Sequence, residues 1–156
     1  MTLVRKIARP MLASVFLSSG VDALRAPEPR APSAEPVATP KALKIPYLPE
    51  DPVQLVRING AAQVAAGTLL GMGRVPRLAA LVLIASLVPT TVAGHRFWEH
   101  DDVTERAKQR TQFLKNAGLV GGLLLAAVDT EGKPSLGWRT RNLFSGSRRK
   151  ALGAVA

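Results

Sequence analysis

An all-α integral membrane four-helix bundle is the fold class this sequence predicts, and three observations predict it. Apolar residues are gathered into four blocks, with the charges collected in the segments between them. The third block carries no charge from residue 78 to residue 94. Aromatic residues make up only 4% of the chain, while Leu, Val, Ala and Gly fill the blocks. That composition suits helices that pack in lipid through small side chains. The overall hydrophobic fraction of 47% is ordinary for a soluble protein, so the pattern and not the average carries the prediction. A soluble four-helix bundle is the competing architecture, since the fourth block is shorter than the roughly twenty residues of an ideal span. The uncharged third block argues against it.

The first expected span covers residues 7–25, "IARPMLASVFLSSGVDALR". Arg5, Lys6 and Arg9 at its start, and "VDA" at 21–23, also fit a cleavable secretory leader. A retained span is the preferred reading, because the run outlasts a usual leader core and Pro10 suits the first turn of a helix. Residues 26–52 hold eight prolines. Proline lacks the amide hydrogen and fixes φ, so a semi-extended loop without helix or sheet is expected, serving as a linker or as a docking surface.

The second span, 53–73, is "VQLVRINGAAQVAAGTLLGMG". At about 100° per residue, Asn59, Gly60, Gln63, Gly67 and Gly71 share one face, small and polar, which should look inward. Gly67 and Gly71 form a GxxxG pair. A tight turn, "RVPR", leads to the third span, 76–95, where Thr90 and Thr91 can satisfy a carbonyl freed by Pro89. Phe97 and Trp98 follow where an interfacial aromatic belt belongs. Residues 99–112 read as a short surface helix. The fourth span, 113–129, is "FLKNAGLVGGLLLAAVD", with a second GxxxG at Gly118 and Gly122. Residues 1–132 thus form one four-helix domain, and 133–156 a basic tail.

Four spans return both termini to one face. The short second turn with Arg74 and Arg77, and the basic tail, place that face in the cytoplasm by the excess of positive residues in short cytoplasmic loops. At the opposite end, polar residues from all four spans fall at one depth: Asp22, Arg57, Asn59, His95, Lys115 and Asn116, with Gln63 about one turn deeper. A charge in lipid must be paired or it is costly, so Asp22 is expected to pair with Arg57 or Lys115. This polar cap is the candidate binding site. Arg57, Arg96 and Lys115 can instead extend to lipid headgroups with no ligand involved. Asn59 and Gln63 are too short for that, and they carry the idea of a pocket for an anion or a quinone-like headgroup.

Net charge is +10, but the basic residues sit at block edges and in the tail, without the interleaved aromatics a single-strand binder uses. A lipid bilayer, not nucleic acid, is the expected partner. With no cysteine, there is no disulfide, thiolate metal site or iron–sulfur cluster. His95 and His100 lie on different helix faces, so no metal pair is expected. No familiar catalytic constellation is present, and no catalytic residue is assigned.

The order "RPMLASVFLSSGVDALRAP", a Pro-rich loop, "VRINGAAQVAAGTLLGMGRVPRLAALVLI", "GHRFWE" and "FLKNAGLVGGLLLAAVD" resembles the DoxX family over residues 5–132. The matching positions are Arg9, Pro10, Gly20, Gly60, Gly67, His95, Lys115, Asn116, Gly121 and Gly122. The resemblance implies a small bacterial, multi-pass cell membrane protein of four helices, associated with oxidoreductase systems such as thiosulfate:quinone oxidoreductase or thiol-stress complexes. It transfers no catalytic residue, and the absence of cysteine leaves sulfur chemistry to a partner. Three expectations follow: an anchor or scaffold subunit docking soluble redox enzymes, a small quinone-binding oxidoreductase subunit using the polar cap, or a small-solute transporter.

Overall fold

The structure is a computed structural model that describes residues 3–38, 49 and 51–129. Five α-helices are present among them: α1 (Leu3–Arg25), α2 (Ala31–Ala38), α3 (Pro52–Gly71), α4 (Pro76–Gly94) and α5 (Val103–Val128). The four long helices run alternately up and down. α1 packs on α3, α3 on α4 and α4 on α5, while α5 meets α1 only sparsely. The core is formed where Phe16, Leu70, Leu83 and Leu123 interlock, all fully buried. α1, α4 with its following turn, and α5 are long and apolar enough to cross a membrane. α3 has 20 residues, but Gln54, Arg57, Asn59 and Gln63 dilute its apolar character, and it is not among those three.

Helix α1 begins four residues earlier than residue 7, so Pro10 lies inside it and not in its first turn. Its buried stripe is Arg9, Ala13, Phe16, Gly20 and Ala23, which lies against α3. Gly20 and Gly60 mark the tightest approach. A Cβ built on Gly20 would stand 2.7 Å from the Gly60 carbonyl oxygen, and one on Gly60 would stand 2.9 Å from that of Gly20. Further along the same seam, Gly67 faces Leu17 and Gly71 faces Ala13. The small and polar face of α3 therefore does look inward. In contrast, among the described residues Gly118 of the second GxxxG has nothing within 4 Å and Gly122 touches only Leu12, so that pair is not a packing seam between them.

The Pro-rich stretch contains helix, contrary to the loop expected from its composition. Glu28–Arg30 form a 3-10 turn and Ala31–Ala38 form α2, which lies across α3 and α4. The first four amides of a helix have no acceptor within it, so Pro32 near the start of α2 costs no hydrogen bond. Pro27, just before the 3-10 turn, is fully buried and fixes the chain against the bundle. Residues 39–48 of the expected loop, and the tail 133–156, lie outside the described residues.

The expected surface helix over 99–112 and the fourth span are one continuous element. Asp102 caps α5, its carboxylate accepting from the Glu105 amide at 2.8 Å, and neither Gly nor Pro interrupts the chain from there to Ala117. The interfacial aromatics do cluster: Phe97, Trp98 and Phe113 meet edge to face with centroids 5.1, 5.5 and 6.1 Å apart. Between α3 and α4, Gly73 has φ 70° and Val75 φ 43°. The left-handed region is costly for a β-branched residue. Val75→Gly should therefore raise stability by about 0.5–1 kcal/mol once the greater chain entropy of glycine is offset. Thermal unfolding in detergent, followed by helical circular dichroism, checks this.

Candidate functional site

The polar residues expected at one depth separate into three groups. The deepest joins α3 to α4. Gln63 Nε2 donates to Ser86 Oγ at 3.0 Å, and Ser86 Oγ donates to Asn59 Oδ1 at 2.7 Å. Gln63 is 5% exposed, and its Oε1 is buried with no hydrogen-bond partner among the described residues. Helical spacing puts Asn59 and Gln63 one turn apart on the face that meets α4, and Ser86 is the hydroxyl that reaches both. An unpaired carbonyl in apolar surroundings is costly, so this oxygen is a place for a hydrogen-bond donor.

Nearer the end of the bundle, Asn116 Nδ2 donates to Thr91 Oγ1 at 3.0 Å, joining α5 to α4. At the rim, His95 Nδ1 lies 2.8 Å from Gln109 Oε1, and Gln109 Nε2 donates to the Glu105 carboxylate at 2.8 Å. A carboxylate only accepts, so the amide must present its oxygen to the ring, and the proton belongs on His95 Nδ1. Thr90 turns its hydroxyl back to the Ser86 and Leu87 carbonyls, both at 3.0 Å. Neither is the Ala85 carbonyl that Pro89 leaves without its amide, so Thr90 does not satisfy the freed carbonyl as expected but bonds the next two along the helix.

Asp22, Arg57 and Lys115 do not join these groups. All three are exposed, and no ion pair links Asp22 to Arg57 or Lys115 among the described residues. The reason is rotational. Asp22 precedes the buried Ala23, and Arg57 follows the buried Val56, each turned about 100° from its helix's packed stripe. The close Gly20–Gly60 crossing leaves no room for a charge pair between the backbones. These side chains are placed to reach outward, as headgroup-seeking residues do.

The strongest charge cluster lies at the other end of the bundle. Asp129, just past α5, accepts from Arg5 Nε at 2.8 Å and Arg9 Nη2 at 3.3 Å, both on Oδ2. Its main-chain carbonyl accepts from Arg77 Nε at 2.9 Å. The Arg9 side chain is only 6% exposed. This cluster ties the start of α1, the start of α4 and the end of α5. Sequence reasoning missed both Ser86 and this cluster. Ser86 could have been found as a hydroxyl deep in an uncharged run, where it must find a partner. The cluster was signalled by an acid closing one span at the end where arginines open two others.

A test of the inner group follows. Ser86→Ala leaves both Gln63 Nε2 and Asn59 Oδ1 without their partner, and should destabilise the bundle by about 1–2 kcal/mol. That exceeds the average of about 0.6 kcal/mol for one interhelical bond in lipid, because two groups are orphaned. Thr90→Ala, which removes bonds only within its own helix, should be near neutral in the same detergent unfolding assay.

Helices of this length and apolarity, with polar side chains bonded across the interior and charges at the ends, define an integral membrane protein of the all-α class. A profile of the DoxX family matches residues 4–96, more than half of the chain. The chain belongs to the DoxX family. No curated protein and no solved structure matches it.

Proposed function

We propose that this DoxX protein is a membrane anchor or scaffold subunit for an oxidoreductase system, crossing the cell membrane four times with both termini in the cytoplasm. The observation that carries this reading is the outer face of α5. Of its 26 residues only Leu123 is buried, and Ala117, Gly118 and Gly121 lie exposed between Leu114 and Leu125. Small residues let a second membrane helix come close, and a Cβ on Gly118 or Gly121 would meet nothing within 4 Å among the described residues. A docking helix would find the contact surface there that lipid does not require. Cross-linking in native membranes, with mass spectrometry of the recovered proteins, tests this. A redox subunit recovered in stoichiometric amount with wild type, and lost with Gly118→Ile/Gly121→Ile, is expected. Recovery of this chain alone would overturn the reading.

A second reading is favoured by the unpartnered Gln63 Oε1. An acceptor without a donor supports binding of a hydroxyl-bearing apolar molecule, the reduced form of a quinone being one, in a small quinone-binding subunit. Lipid extracts of purified wild type should then contain quinone that extracts of Gln63→Leu lack, with both proteins equally helical. Equal content in the two extracts would remove this reading.

A further inference from the structure

We propose that the outward face of α5 receives one helix of a different membrane protein, a helix that continues out of the bilayer and carries acidic residues beside its line of contact. This rests on the docking of a partner at α5, as read above, and adds the chemistry of that partner.

The first observation is spacing. Leu114, Gly118, Gly121, Leu125 and Val128 are all exposed, and they follow one another by four and three residues in alternation. That spacing keeps a single line of contact along a helix wound on a second one. The same alternation runs back through Thr111, Ala107 and Thr104, also exposed. The line is about 36 Å long at 1.5 Å per residue. The residues of α5 that serve the bundle lie on its other side: Gln109 bonds His95, Phe113 meets Phe97, Asn116 bonds Thr91 and Leu123 is buried.

The second observation separates a helix from lipid as the occupant. Lipid can cover Leu114 to Val128. Thr104, Ala107 and Thr111 lie on the water side of the aromatic cluster of Phe97, Trp98 and Phe113, among Arg106, Lys108 and Arg110. A line that crosses this boundary with its spacing unchanged suits a helix that crosses it too.

The third observation is charge. On the water side and at the boundary, the charged positions flanking the line are Lys108, Arg110 and Lys115, all exposed. Lys108 reaches Glu105 at 3.5 Å. No hydrogen bond or ion pair engages Arg110 or Lys115 among the described residues. A second copy of this chain would insert in the same orientation, so its α5 would run parallel. Flanking positions five residues apart then face each other, which sets Arg110 of each copy against Lys115 of the other. Like charges oppose that pairing. Glu or Asp at the matching positions of a different helix would turn the same contacts into ion pairs.

The probe is a synthetic single-span peptide with a Gly/Leu line of the same spacing and glutamates at the flanking positions of its water-side turns. A twin peptide carries lysines there. Binding to the full-length protein is measured by energy transfer in zwitterionic detergent micelles, where the peptide is free to align. Wild type should bind the glutamate peptide about tenfold more tightly, the scale of a few exposed ion pairs exchanged for like-charge contacts. In Lys108→Glu/Arg110→Glu the preference should pass to the lysine peptide. Both residues are exposed on the water side, so the bundle should keep its helicity. Gly118→Ile/Gly121→Ile should weaken both peptides alike. Equal affinity for the two peptides, or binding of neither, would overturn the proposal. Energy transfer between two labelled wild-type copies that Gly118→Ile/Gly121→Ile abolishes would also overturn it, because the face would then serve self-association. A glutamate preference without a redox subunit recovered from native membranes would remove the scaffold reading and leave this surface standing. A recovered subunit without that preference would do the reverse.

Discussion

Gly20→Val should lower the stability of the protein in detergent by about 1–3 kcal/mol, the range for forcing extra methyl groups into a packed interior. A side chain there meets the Gly60 carbonyl oxygen at 2.7 Å, Val64 Cγ2 at 2.9 Å and Gln63 Cβ at 3.0 Å. A backbone oxygen cannot swing aside as a flexible side chain can, so α1 must move away from α3. That movement strains the same turn of α3 that carries Gln63. Gly60→Val should act alike, because the approach is mutual. Gly118→Val is the matched control: it meets nothing within 4 Å among the described residues and should leave unfolding nearly unchanged. A Gly20 variant as stable as that control would show that the close crossing does not hold the two helices.

Asp129→Ala should cost about 2 kcal/mol. Exposed ion pairs contribute about 0–1 kcal/mol, whereas removing one partner of a buried pair costs about 3–5 kcal/mol. Asp129 lies between these limits, its side chain 21% exposed and that of Arg9 6%. The substitution removes the carboxylate from both Arg5 and Arg9 but keeps the main-chain carbonyl that Arg77 uses. The loss should appear mainly at the α1–α5 seam, where packing is otherwise limited to contacts such as Leu12 with Gly122. Hydrogen exchange should speed up in the last turns of α5 and the first turns of α1, while the Gly20–Gly60 region stays protected. Uniform acceleration along all helices would contradict this local role.

The long helices were legible because their signals are local. An uncharged run and a shared small face on α3 are each visible within a few turns. Short-range features also explain the elements that were misread. α2 forms although it holds two prolines: Pro32, in its first turn, forfeits no hydrogen bond, a positional effect that a count of prolines conceals, whereas Pro36 lies beyond that turn and has no such exemption. α5 is continuous because nothing between Asp102 and Gly118 breaks a helix, although its composition changes sharply from polar to apolar. That change marks where the helix meets lipid, not where it ends.

The candidate site was only partly legible, because depth along a bundle is readable from sequence and rotation about each axis is not. Asn59, Gln63, His95 and Asn116 were located through their positions on spans, and each bonds to a neighbour. Their partners Ser86, Thr91 and Gln109 depend on which faces oppose each other, which one helix cannot disclose. Asp22 lies at the expected depth on the wrong side of α1. The Asp129 cluster joins residues more than 120 positions apart, and its logic appears only when α5 is folded back beside α1.

The polarity of α3 also has a consequence for how the chain is made. A helix bearing Gln54, Arg57, Asn59 and Gln63 partitions poorly from a translocon into lipid on its own apolarity. Helix α1, synthesised before it, offers the glycine seam, but the hydroxyl of Ser86 arrives only with α4. Insertion of α3 should therefore depend on both neighbours, since α1 offers the glycine seam and Ser86 of α4 completes the hydrogen bonds of Asn59 and Gln63.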